Sequence, residues 1–116
     1  SHKGEKVDYD LMVAIPPNFG AKFLEGTGLE DPLRFIDTDH FTLKAKNADH
    51  IFVVGDATNV PASKAGAVAH YESDTVVENL IREIDGQEPH GTIDGHATCF
   101  ICSGDEKAFL IDFNYE

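Results

Sequence analysis

The feature that most constrains the fold is an apolar run that stops abruptly at a glycine–aspartate pair. Residues 51–54 read IFVV, and Gly55 and Asp56 follow directly. A short apolar run bounded by turn residues predicts a buried strand. After a loop, residues 64–85 carry apolar side chains at helical spacing, which predicts a long helix. Strand, loop and helix in this order are typical of an α/β fold.

The helix has a defined apolar stripe and a defined end. The stripe consists of Ala69, Val76, Val77, Leu80, Ile81 and Ile84. Such a stripe is typical of the side of a helix that faces a core. Gly86 suits the position just past the helix, and Pro89 prevents the helix from resuming.

Three further regions are expected to form strands. Residues 9–15 (YDLMVAI) end at Pro16 and Pro17, which cannot continue a ladder, and we interpret them as a buried strand of a mainly parallel sheet. Residues 41–43 suggest a short strand. Residues 97–101 and 108–113 predict a C-terminal hairpin, with residues 103–106 as its turn.

The composition excludes some classes of partner. The chain has 116 residues, enough for one small domain. Its formal charge is −12, from 21 acidic and 9 basic residues, so we expect no nucleic-acid partner, because such a surface repels phosphate backbones. No apolar run approaches the roughly 20 residues needed to span a bilayer, so we expect this segment to be soluble.

The end of the strand at residues 51–54 is suited to ligand binding. Gly55 permits a ligand to approach the backbone closely, and Asp56 can accept hydrogen bonds from ligand hydroxyls. The helix start at residues 64–67 offers free N–H groups and the positive end of the helix dipole, which stabilise negative charge. Ligands of α/β sheets bind at the carboxyl ends of strands.

Residues 51–72 (IFVVGDATNVPASKAGAVAHYE) resemble the second FAD-binding motif of two-dinucleotide-domain flavoproteins. The subfamily they are most similar to is sulfide:quinone oxidoreductase, a pyridine nucleotide-disulfide oxidoreductase. Its shared features are a Pro-containing loop with Pro61, a Lys-Ala-Gly helix start at residues 64–66 and an acidic helix residue, Glu72. The run ending in Pro16-Pro17 and the Cys99-Phe100 strand complete the similarity, which extends over residues 7–113.

The resemblance implies an architecture and a set of roles. Residues 7–88 would be the second segment of an FAD-binding domain, with a partial sheet and one main helix. Residues 89–116 would begin the C-terminal domain with the hairpin. The implied sites are cofactor-binding Gly55, Asp56, Lys64, Ala65 and Gly66, the catalytic redox cysteine Cys99, and Phe100 beside the quinone.

The implied activity belongs to a longer protein. Sulfide would attack a disulfide that includes Cys99, and electrons would pass through FAD to a quinone. The glycine-rich phosphate-binding fingerprint is absent, so the missing N-terminal half must supply half of the FAD site. We therefore expect the segment alone to be inactive and to lack FAD. The full-length protein would be cytoplasmic or peripheral to a membrane.

Less specific interpretations remain open for individual residues. Asp56 could cap a helix, Lys64 could be a solvated surface residue, and Glu72 is expected to be a solvated helix carboxylate. Cys99 and Cys102 could be two small strand residues, which at this spacing point to opposite faces. A zinc site is the remaining alternative, with the ligands His90, His96, Cys99 and Cys102.

Two other functions remain open for the whole chain. One is a non-catalytic acidic binding or assembly module. The other is part of an NADH:quinone-type flavoprotein dehydrogenase, a class that lacks the cysteine at position 99. Under every hypothesis, exposed sheet edges and apolar surface lead us to expect homo-oligomers.

Overall fold

The computed structural model describes residues 4, 6 and 8–116, and contains one helix and one hairpin. Helix α1 spans Gly66–Ile84, strand β1 spans Ala97–Gly104 and strand β2 spans Lys107–Phe113. Two single 3-10 turns lie at Lys22–Leu24 and Gly55–Ala57. The expected α/β composition, with one main helix and a C-terminal hairpin, is confirmed. The predicted domain boundary at residue 7 lies outside the described residues.

Helix α1 ends as its sequence predicts. The backbone turns into the left-handed region at Gly86 (φ 71°), and the Gln87 amide donates to the Arg82 carbonyl at 2.8 Å. A glycine in this conformation satisfies the last carbonyls of a helix. No helix among the described residues is long and apolar enough to cross a membrane.

The hairpin is longer than predicted and closes on a tight turn. β1 and β2 pair antiparallel, with Cys99 opposite Ile111. The turn residues Asp105 and Glu106 have φ of 52° and 57°. Two consecutive left-handed residues form the turn type whose twist matches a right-twisted hairpin.

The expectation of a mainly parallel sheet is wrong for the described chain. Residues 9–15 form no strand, and Val13 and Ile15 are 90% and 91% exposed. Residues 51–54 contribute a single bridge, from Phe52 to Lys44, and residues 41–42 form a turn. A buried parallel strand is stabilised by neighbours on both sides. In residues 8–116 neither run has such neighbours on both sides, so neither forms a strand of a parallel sheet.

The hydrophobic core lies in the irregular region before the helix. Leu24, Ile36, Ala45 and Val53 form a buried cluster. Isolated bridges hold this region together, among them a parallel one between Ile36 and Thr58. The core therefore sits beside the Gly55–Ala57 turn and fixes where the chain enters α1.

Helix α1 packs with a different side from the one its apolar stripe predicts. Its buried residues are Val68, Glu72 and Asn79, whereas Ile81 and Ile84 are 55% and 76% exposed. The radius of gyration is 18.0 Å, compared with about 13 Å for a compact chain of this length. The described chain thus leaves four residues of the apolar stripe exposed, Val77, Leu80, Ile81 and Ile84.

Candidate functional site

The turn that follows residue 54 packs directly against α1. Gly55 has φ 68°, and a Cβ at this position would lie 3.2 Å from the Cβ of Ala69. The Gly55 amide donates a hydrogen bond to Oε2 of Glu72 at 2.5 Å. A side chain at position 55 would be strained by both backbone and helix, so the close approach depends on glycine.

A cavity of about 570 Å³, here called the Asp56 cavity, opens beside this turn. Its walls include the rings of Phe19, Phe23 and Phe35, together with Asp56 and Lys64. The structure therefore brings together two of the residues that the sequence marked as cofactor-binding.

The two charged residues of the cavity differ in how they are held. Nζ of Lys64 donates to the Thr58 carbonyl at 2.7 Å and lies 4.8 Å from the centre of the Phe35 ring. The Asp56 side chain is exposed and makes no hydrogen bond to any other described residue. Asp56 therefore does not cap α1, and its carboxylate is free to accept hydrogen bonds from a ligand.

The start of α1 faces the same turn. Ala65 is the extended residue before the helix, Gly66 is its first residue, and no side chain caps the helix. The first N–H groups of a helix lack partners inside it and favour negative charge. Aromatic walls and a free carboxylate suit a flat ligand that carries hydroxyl groups. Ala65 and Gly66 do not line the cavity but follow Lys64, which does.

Cys99 and Phe100 lie on β1, outside the Asp56 cavity. Cys99 is a half-buried free thiol, and Phe100 is 77% exposed. β1 contacts α1, the helix that begins two residues after Lys64. The structure does not bring Cys99 into contact with Asp56 or Lys64.

The alternative zinc ligands are not gathered into a site. Cys102 is an exposed free thiol. Among the described residues, no three His, Cys, Asp or Glu side chains are placed to hold a metal ion. His96 instead pairs with Asp112, with 3.5 Å between Nδ1 and Oδ1.

The sequence analysis misjudged Glu72, which is buried rather than solvated. Its side chain is 1% exposed, and burial raises its pKa; the Gly55 hydrogen bond and the Lys64 charge partly offset this. Oε1 has no hydrogen-bond partner in the described part of the chain. The spacing of Val68, Glu72 and Asn79 was the available signal, because all three lie on one side of a helix.

Asn79 is a second buried polar residue that the sequence analysis did not identify. Nδ2 donates to the carbonyls of Thr42 and Gly91, each at 2.9 Å. Oδ1 accepts from the amides of His90 and Gly91, at 2.9 and 2.7 Å. Three of these hydrogen bonds attach the connector between α1 and β1 to the helix, and the one to Thr42 attaches the turn at residues 41–42.

The chain is similar to known proteins over nearly its whole length. It is 31% identical to the mitochondrial sulfide:quinone oxidoreductase of Dictyostelium discoideum and 27% identical to that of Mus musculus, in each case over 94% of this chain and 24% of the relative. The protein of the same name from Schizosaccharomyces pombe is 26% identical over 93% of the chain. The chain thus spans about a quarter of the length of these relatives. No protein-family profile matches it.

The fold over most of this chain is also found in a solved structure. A chain in the cryo-EM structure of the mitochondrial ATP synthase of Tetrahymena thermophila superposes with a TM-score of 0.78 at 27% identity. The match covers 83% of this chain and 23% of that chain.

Proposed function

We propose that the chain forms the C-terminal, flavin-facing part of a sulfide:quinone oxidoreductase. Its sequence is related to an enzyme of this name over 94% of its length. Residues 7–88 would belong to the FAD-binding domain and residues 89–116 would begin the C-terminal domain. The rest of the enzyme would lie outside this segment, because the match covers 24% of the relative.

The observation that carries this proposal is the Asp56 cavity. Its aromatic walls suit an isoalloxazine ring, and the unpaired Asp56 carboxylate suits the hydroxyls of a ribityl chain. Gly55 keeps the turn clear of side-chain atoms, and the uncapped start of α1 at Ala65 and Gly66 would stabilise negative charge on a reduced ring. Bound FAD would supply two-electron redox chemistry.

Each of the remaining site residues has a defined role in the proposal. Lys64 would hold its positive charge at the cavity wall, where its bond to the Thr58 carbonyl fixes it. Cys99 would provide one sulfur of a disulfide that sulfide attacks, and the partner cysteine would lie outside this segment. Phe100, with its exposed ring, would border the quinone. The segment alone would then be inactive.

The test uses the full-length gene product, assayed for sulfide-dependent reduction of decylubiquinone. We expect activity in the wild type and a fall to the background rate for Cys99→Ser, because the attacked sulfur is removed. Cys102→Ser is the matched control on the same strand and should retain activity. Undiminished activity of Cys99→Ser would exclude the role of Cys99. Reduction driven by NADH instead of sulfide would favour the NADH:quinone alternative.

A second candidate is a non-catalytic assembly module. It is favoured by the similarity to a chain within a solved ATP synthase structure and by the four exposed residues of the apolar stripe of α1. Flavin content distinguishes the two candidates. A full-length product that purifies in a large complex without FAD would support the assembly role.

A further inference from the structure

A second cavity, of about 720 Å³, lies between α1, the connector that precedes β1 and the residues that follow β2. We call it the Glu72 cavity. It shares no lining residue with the Asp56 cavity. The residues that give it its chemical character are Phe41, Tyr71, Glu72, Asp94, His96 and Tyr115.

The buried carboxyl group of Glu72 has one oxygen without a hydrogen-bond partner among the described residues beside this cavity. Oε2 is occupied by the Gly55 amide, while Oε1 has no partner in the described part of the chain. A buried carboxylate is costly unless a cation or further donors accompany it. A cation placed in the cavity would provide that compensation and would favour the ionised form of Glu72.

Aromatic rings complete the chemistry of a cation site. Phe41 and Tyr115 meet edge to face, with 6.1 Å between centroids, and Tyr71 and His96 do so at 5.2 Å. Ring faces beside carboxylates are the environment that attracts ammonium groups. Tyr115 is itself held in place, because its hydroxyl donates to the His40 carbonyl at 3.0 Å.

A second carboxylate is fixed at the same cavity. Oδ1 of Asp94 accepts the His96 amide at 3.0 Å. Glu72 and Asp94 both raise the pKa of Tyr115, after the larger effect of burial, to about 12. Tyr115 therefore stays a neutral hydrogen-bonding group at physiological pH and adds no charge that competes with the carboxylates.

We propose that the Glu72 cavity binds a small organic cation, an alkyl or aryl ammonium, with its charge near Glu72 and Asp94 and its apolar body against the rings. The two cavities share no lining residue, although Glu72 also accepts the amide of Gly55 beside the Asp56 cavity. The test below therefore measures binding of the cation itself and does not depend on flavin content.

The test measures binding of benzylammonium to the full-length gene product at pH 8 by calorimetry, with neutral benzyl alcohol as the shape-matched probe. We expect the ammonium to bind at least about tenfold more tightly than the alcohol, as charge-assisted hydrogen bonds allow. Glu72→Gln should remove this preference. Asp74→Asn, on an exposed position of the same helix, should leave it unchanged.

Equal binding of the two probes, no binding of either at millimolar concentration, or equal affinities for Glu72→Gln and Asp74→Asn would overturn the site. The glutamine can still accept the Gly55 hydrogen bond, so we expect the variant to fold. Should its circular dichroism spectrum show otherwise, Asp94→Asn takes its place. That variant should bind benzylammonium more weakly, and unchanged affinity would equally overturn the proposal.

Discussion

Oε2 of Glu72 accepts a hydrogen bond from the Gly55 amide at 2.5 Å, so one buried carboxyl group joins the Gly55–Ala57 turn to α1. We expect Glu72→Ala to lower the free energy of unfolding by about 1–3 kcal/mol, because the partly buried Gly55 amide loses its acceptor. Glu72→Gln keeps an acceptor oxygen and should lose less. Urea denaturation measures both, with Asp74→Ala as the exposed control; equal losses for the alanine and glutamine variants would contradict the role of this bond.

Burial of Glu72 also predicts a pH dependence of stability. Burial raises its pKa above the ordinary value of 4.5, so the folded state binds a proton more tightly than the unfolded state. The stability that this group contributes is present at low pH and decreases as pH rises from about 4.5 through the raised folded pKa. The difference in unfolding free energy between wild type and Glu72→Gln should therefore fall over this range. A difference that rises or stays constant with pH would contradict the sign.

Gly95 lies against the ring of Tyr115, where a Cβ would come within 2.0 Å of a ring carbon. We expect Gly95→Ala to destabilise the protein by about 1–3 kcal/mol in addition to the cost of backbone strain, because the added carbon forces the Tyr115 ring to move. Gly86→Ala is the matched control, since Gly86 has a similar φ of 71° but nothing within 4 Å of the added carbon. Thermal or urea unfolding compares the two, and equal losses would mean that the Tyr115 ring is not fixed in place.

Asn79 makes four hydrogen bonds to the backbone from a fully buried position. We expect Asn79→Ala to cost several kcal/mol, on the order of 1 kcal/mol for each bond lost. Amide hydrogen exchange at Gly91 should accelerate, because its N–H donates to Oδ1 of Asn79. Asn47→Ala, at an exposed turn position, is the control; unchanged exchange at Gly91 in Asn79→Ala would contradict the attachment.

The elements that could be predicted from sequence are those stabilised by local interactions. Residues 64–85 were expected to form a helix and Gly66–Ile84 do so, because helical hydrogen bonds are made within the segment. The hairpin was also predicted, although with a four-residue turn at residues 103–106. The structure closes it with the two residues Asp105 and Glu106. The predictions of strands at residues 9–15 and 51–54 were wrong, because parallel strands depend on distant partners that the local sequence does not specify.

The sequence pattern also failed to predict which side of α1 packs against the rest of the described chain. Apolar spacing marked Leu80, Ile81 and Ile84, yet the described chain buries Glu72 and Asn79 instead. Both polar residues are buried because backbone groups of loops supply their hydrogen bonds, and the positions of those loops follow from tertiary structure. The joint placement of Asp56 and Lys64 at one cavity agrees with the sequence pattern, while their binding of FAD stays a prediction.

The most direct test of the central claim is the FAD content of the full-length gene product, measured by its absorbance spectrum after purification. We predict about one FAD per chain in the wild type and in the control Asp74→Ala. Asp56→Ala should lose most of its FAD, because the unpaired carboxylate at the Asp56 cavity is removed. A wild type without flavin, or an Asp56→Ala variant that retains as much FAD as the control, would contradict the account.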